Sequence, residues 1–384
     1  MPPALDIAWS RNRNDIEGIA GADAPATCAN TFEALVAVGR VLDKVLGTFY
    51  TVAGADSNPA REALQRDFSP KLAAHFAEIS GSKALFARVA AVHNAREQLD
   101  LNDEQARVLM LTHRGFVRSG AALEGEDEAR MKVIKGRLAE LGTSFTQNLL
   151  ADERDWFMEL GEEDLAGLPD FVVNTARAAG EDKGADGPVV TLSRSLIVPF
   201  LQFSTRRDLR EIAYKAWTSR GANGGETDNR AIAAEILALR EERAKLLGYE
   251  SFAAYKLETE MAKTPEAVRD LLMAVWEPAR SQANADAWVL EQMMVQDGVN
   301  GPLAPWDWRF YSERRRKELH DLDEAEVKPY FQLERMIEAS FACANRLFGL
   351  EFRPLDIPLY HPDCRAWEVT RGGAHVAVFI GDYF

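Results

Sequence analysis

Apolar residues recur at steps of three and four along most of this chain, which commits it to amphipathic helices packed on one another. Leu35, Val38, Leu42, Val45 and Phe49 fall on one helical face. Asn30 to Glu33, just before them, match a capping box: a side-chain acceptor at the start and an acid reaching back from three residues on. From Asp127 the pattern returns as Met131, Ile134, Leu138, Leu141, Phe145 and Leu149, with charge on the opposite side. A second helical block is expected from Arg207 to Gln296, with a turn at Asn223-Gly224-Gly225. Inside it Thr264-Pro265-Glu266 reads as a helix start: a hydroxyl cap, proline at the first helical position, then an acid. Pro278 is expected to kink or offset the helix that follows. No fixed-period repeat supports a solenoid.

Two regions depart from helical spacing. Gly167-Leu168-Pro169-Asp170 punctuates the chain, and residues 180–188 read as an exposed loop. Val189–Leu192 and Leu196–Phe203 are short apolar runs, the second broken by Pro199; periodicity leaves each open between a strand and a loop packed on helices. Near the end, Arg365–Thr370 and His375–Phe384 alternate, and Arg371-Gly372-Gly373 between them signals a hairpin. A lone hairpin is marginal in water, so more strands are expected beside it. The last strand keeps an apolar face and an edge that atoms outside this sequence are expected to cover. The fold class is mainly α, a long-helix, two-lobed body with a small β-sheet begun near the C-terminus. Three regions follow: 1–165, 166–300 and 301–384.

Charge narrows the function. Lys and Arg total 45 against 60 Asp and Glu, a formal net charge of −15. Such a surface lacks the basic patches that nucleic acid or an anionic membrane requires, so neither is expected as a partner. No apolar run approaches the ~20 residues of a membrane span, and Met1–Asp6 does not read as a secretory signal. Cys28, Cys343 and Cys364 form no disulfide framework, which fits a reducing cytoplasm.

Residues able to carry chemistry are few. The histidines are His75, His93, His113, His320, His361 and His375, and HExxH does not occur. His320 and Glu324 have helical spacing and read as a surface pair. His361, Asp363 and Cys364 cluster without a fourth ligand, so packing at the entry to a strand explains them better than a metal. GxSxG, GxxxxGK[ST] and GxGxxG are absent, and the glycine-rich segments at 184–187 and 223–226 lack a phosphate loop's setting. Glu162-Glu163 and the Asp321–Asp323 pair read as solvated faces, and Trp306 with Trp308 as packing, with a peptide-binding wall as the minority reading.

Several blocks in fixed order carry a resemblance. They are Leu246-Leu247-Gly248-Tyr249, Ala253–Leu257 and Met261–Val268, then Pro305–Trp308 with Phe310-Tyr311. Asp321–Glu324 leading to Lys328–Phe331, Leu347–Leu350 and Tyr360–Asp363 through Trp367–Val369 complete the set. Arg114–Ala121 and Leu141–Asn148 agree more loosely. Together they resemble the thimet oligopeptidase family of zinc metallopeptidases, nearest its bacterial peptidyl-dipeptidase branch. The resemblance covers about the first half of such a protein, before the HExxH helix. It implies two lobes around a narrow channel that admits short peptides, with zinc in the completed enzyme and none held by this chain. The open apolar strand at His375–Phe384 adds the expectation of a second polypeptide that bears HExxH and finishes the sheet. No catalytic or metal residue is carried over. Tyr360, His361, Asp363, Arg365 and Tyr383 are the candidates to face the substrate channel or that partner. The alternative is a non-catalytic peptide-binding or scaffold protein.

Overall fold

The computed structural model describes residues 2–320 and 327–383. Glu324, with the 321–324 block and the Asp321–Asp323 pair, lies outside them, as does Phe384. The described residues form two compact units, Met1–Glu128 with Tyr330–Phe384, and Ala129–Pro329. Both are dominated by helices. No described helix is long and apolar enough to cross a membrane.

The first unit opens with helix Pro2–Ala20, one π-helical turn at Cys28–Glu33 and the short helix Ala34–Ala37. Longer helices follow at Arg40–Ala55, Pro59–Gly81, Lys83–Asn94 and Asp103–Arg118. The capping box sits one turn earlier than expected: Thr27 is the cap, accepting from the Asn30 N–H at 3.1 Å, while Asn30 Oδ1 accepts from the Thr27 N–H at 2.8 Å. The apolar face from Leu35 to Phe49 is not one helix, because Gly39 takes φ 95° and starts a new one. Leu5, Ala8, Leu42, Phe68 and Leu72 make one core, and Ile16, Ile19, Leu85, Val89 and Phe116 another.

Three histidines are built into these cores. His75 Nε2 lies 2.7 Å from Asn12 Oδ1, with Trp9 beside the ring. His93 and His113 stack face to face, centroids 3.9 Å apart and planes 5° from parallel. Burial, and after it neighbouring cations, pulls all three below the ordinary histidine value of 6.5. The unfolded chain therefore takes up protons first as pH falls past 6.5. Stability present above that pH is lost below it, at up to about 1.4 kcal/mol per pH unit for each histidine. The urea midpoint for the Lys83–Asn94 and Asp103–Arg118 helices is expected to drop from about pH 7.5 to about pH 5.5. His93→Phe with His113→Phe flattens that dependence; an unchanged slope in the double variant contradicts the assignment.

In the second unit, helix Gly125–Asp155 matches the periodicity read from Asp127. Phe157–Glu159 (β1) pairs antiparallel with Val189–Thr191 (β2), so the first ambiguous run is a strand. The second, Arg194–Phe203, is a helix that contains Pro199. Leu196, Ile197, Phe200 and Leu201, at helical spacing, are its buried face. Further helices span Asp170–Lys183, Arg207–Thr218, Arg230–Leu246, Phe252–Leu257, Pro265–Gln296 and Pro305–His320. The helix from Pro265 starts as expected, with Thr264 Oγ1 accepting from the Ala267 N–H at 3.2 Å, and runs on through Pro278. The Asn223–Glu226 glycine loop is pinned by Asp152, which accepts from the Gly221 N–H at 2.7 Å and from Thr227 at 2.6 Å.

Within the Pro305-Trp306-Asp307-Trp308 block, Asp307 is buried and Trp306 half-buried, while Trp308 stays 37% exposed. Asp307, wholly buried, accepts a bidentate pair of bonds from Arg207, one on each oxygen, with Nε–Oδ1 at 3.0 Å and Nη2–Oδ2 at 2.8 Å. Arg210, 1% exposed, gives it a third at 3.0 Å and donates to the carbonyls of Ser204 and Trp306. Asp307 also accepts from the Ala304 N–H at 3.1 Å, closing the first turn of its own helix. Trp306 lies against Tyr214 and under Arg207.

The rest of the first unit holds helix Leu333–Phe348 and a three-stranded antiparallel sheet: Leu350–Leu355 (β3), Arg365–Arg371 (β4) and Ala374–Gly381 (β5), in that order. The expected hairpin is β4–β5, and its two turn glycines take φ 56° and 80°, the left-handed pair of a tight primed turn. The extra strand precedes the hairpin. A bulge at Val369/Thr370 shifts the register, so Thr370 faces His375 and Val369 faces Ala377. Among the described residues β5 is paired on one side only, and Val376, Val378 and Ile380 stay 51%, 44% and 42% exposed.

Candidate functional site

Antiparallel pairing puts Phe352, Trp367 and Phe379 on one face of the sheet. Helix Leu333–Phe348 covers that face with Phe341, which stacks on Phe352 at 4.0 Å and meets Trp367 at 5.3 Å and Phe379 at 5.8 Å edge-on. Beside this cluster, the helix, the ends of β3 and β4 and the 356–364 segment enclose a groove of about 990 Å³. Glu334, Ile337, Glu338 and Phe341 form its helical wall. Their spacing of three and four was readable in the sequence, although only the fold shows that this face lines a groove.

Of the five residues singled out in the sequence, the structure brings His361 and Arg365 to the groove wall. The Asp363 N–H donates to His361 Nδ1 at 3.3 Å, which in the neutral ring leaves Nε2–H as the free donor. Arg365 Nη1 donates to Glu334 Oε2 at 2.8 Å, and the guanidinium holds that carboxyl below the usual range. Both partners are exposed enough that the pair adds little to stability.

The other three stand apart from the wall. Tyr360 donates to Asp382 Oδ2 at 2.7 Å, and that carboxylate, then Cys364, pushes the phenol well above its ordinary value. It thus stays protonated through neutral pH and ties the 356–364 segment to the end of β5. Asp363 lies 3.7 Å from His361 Nδ1. The Tyr383 ring folds back over Gly381, where a Cβ would stand 2.5 Å from it, so a larger residue there would turn the exposed ring aside.

Among the described residues no three His, Cys, Asp or Glu side chains gather to hold a metal ion. His361, Asp363 and Cys364 do not form a donor set: Cys364 is buried and His361 accepts from backbone. The described residues thus do not fit the zinc that the resemblance implies.

Compared with known proteins, residues 200–384 match the model of peptidase family M3. The chain is 36% identical to dipeptidyl carboxypeptidase of Salmonella typhimurium, an alignment that takes in 100% of this chain and 57% of that protein. Dipeptidyl carboxypeptidase of Escherichia coli is 35% identical, with the same coverage of 100% and 57%. Oligopeptidase A of Escherichia coli is 29% identical over 96% of this chain and 55% of its own length. The chain spans a little over half the length of the curated relatives it matches.

Proposed function

The chain belongs to peptidase family M3, and from that premise we propose that it is the non-zinc-binding half of a peptide hydrolase that cleaves short peptides, completed by a second polypeptide carrying HExxH. The observation that carries this reading is the open edge of β5 with its exposed valines and isoleucine. Such an edge is a template for strand addition, and its apolar side chains gain stability once covered. The zinc would come with the added polypeptide and supply the activated water. This chain's own part is to shape the groove, hold its loop through Tyr360 and Asp382, and present His361 and Arg365 to the bound peptide. The free cysteines fit a reducing, cytoplasmic setting.

The test is reconstitution. This chain is mixed with the portion of the Salmonella dipeptidyl carboxypeptidase that it does not cover. Zinc content and release of dipeptides from a short peptide are then measured. A stable complex with one zinc and hydrolysis absent from either part is expected. Val378→Lys with Ile380→Lys, at positions already exposed and so harmless to this chain's folding, is expected to weaken assembly at least about tenfold. Hydrolysis that is indifferent to this chain overturns the reading. Peptide binding without any hydrolysis in the complex favours the non-catalytic alternative instead.

A further inference from the structure

The groove beside helix Leu333–Phe348 has an aromatic floor and an acidic rim. Phe341, Phe352 and Trp367 all line it, and the first two stack at 4.0 Å. Its charged lining sets three carboxylates, Glu334, Glu338 and Asp356, against one guanidinium, Arg365. Glu334 is spent on that guanidinium at 2.8 Å. Glu338 and Asp356 are exposed and make no hydrogen bond or ion pair among the described residues. The groove is therefore left with unneutralised negative charge above partly exposed aromatic rings.

That combination suits one ligand chemistry. A lysine or arginine lays an apolar stem on rings while its cation meets carboxylates and ring faces. A neutral polar side chain gains nothing at the rim, and an acidic one is repelled. We propose that this groove binds a basic side chain of a short peptide, its stem on the Phe341–Phe352 floor and its charged head at Glu338 and Asp356. At about 990 Å³ the groove also has room for the residues that flank it. The proposal rests on the peptide-facing reading of this surface, but not on which polypeptide supplies the metal.

The experiment measures binding to the 384-residue chain of two labelled peptides, an alanine pentapeptide with arginine at its centre and the same peptide with citrulline, the neutral isostere. Arginine is expected to bind at least about tenfold more tightly. Glu338→Gln with Asp356→Asn brings the two affinities together. Glu104→Gln with Glu126→Gln removes the same charge from exposed positions elsewhere in the unit and leaves the preference intact. Equal affinities, no saturable binding, a preference that survives the groove double variant, or one lost equally in the control variant overturns the proposal. An arginine preference in binding with no hydrolysis after reconstitution removes the completed-hydrolase reading and leaves this one standing.

Discussion

Asp307→Ala is expected to destabilise the Ala129–Pro329 unit by about 3–5 kcal/mol, because it leaves a guanidinium buried without its counter-charge. Arg210 is 1% exposed and its remaining acceptors are two backbone carbonyls. Burial already pulls that guanidinium below its ordinary value, and Asp307 is what offsets the effect. Arg207, at the rim, loses its bidentate partner but can turn to water. The same substitution strips the Ala304 N–H of its acceptor. Hydrogen exchange is the direct measure: amides of Arg207–Thr218 and Pro305–His320 lose protection together, since these two helices meet through this carboxylate. Asp307→Asn keeps one oxygen acceptor and costs less. Asp286→Asn, which breaks the half-exposed pair with Arg315, stays within about 1 kcal/mol. A loss for Asp307→Ala no larger than that control defeats the account.

Trp367→Ala is expected to cost about 3–5 kcal/mol in the sheet and its covering helix. Trp367 is 8% exposed and meets Phe341 edge-on at 5.3 Å and Phe379 at 5.8 Å. Its indole fills the space between helix Leu333–Phe348 and the middle strand, which no neighbour can reach across to fill. Protection of β4 amides is expected to fall with that of the helix. Phe379→Ala, at a ring already 39% exposed, is expected to cost less than half as much. Equal losses at the two positions place the core elsewhere.

The sequence was most readable where one kind of force acts alone. Periodicity exposed the Gly125–Asp155 helix, and Thr264-Pro265 marked a helix start that the structure reproduces. Arg371-Gly372-Gly373 located the hairpin because only glycine takes two left-handed positions without strain. Leu196–Phe203 resisted because Pro199 argues against a helix, yet burial of four apolar side chains outweighs one missing N–H. β3 was missed for a related reason. Pro354, Glu351 and Arg353 do not read as a strand, but an edge strand tolerates proline and charge. The capping box slipped by a turn because Thr27 and Asn30 both fit the pattern, and the Asn30 side chain is also held by the Pro25 carbonyl. At the candidate site, His361 and Arg365 were legible as polar residues beside the hairpin. Glu338 and Asp356 were not, because the groove exists only once helix, loop and sheet meet.

The bulge at Val369/Thr370 has a bearing on any strand that joins the sheet. Between Ala377 and Gly381 the pleat is regular, and a newcomer can match it residue for residue. Beyond Ala377 the phase is reset, so a ladder that ran on toward Ala374 would turn its side chains to the wrong face unless it carried a compensating irregularity. The fold thus offers its edge as a lock with a short bitting: incoming sequences are discriminated by where their own alternation breaks, and a plain repeating strand fits only along part of its length.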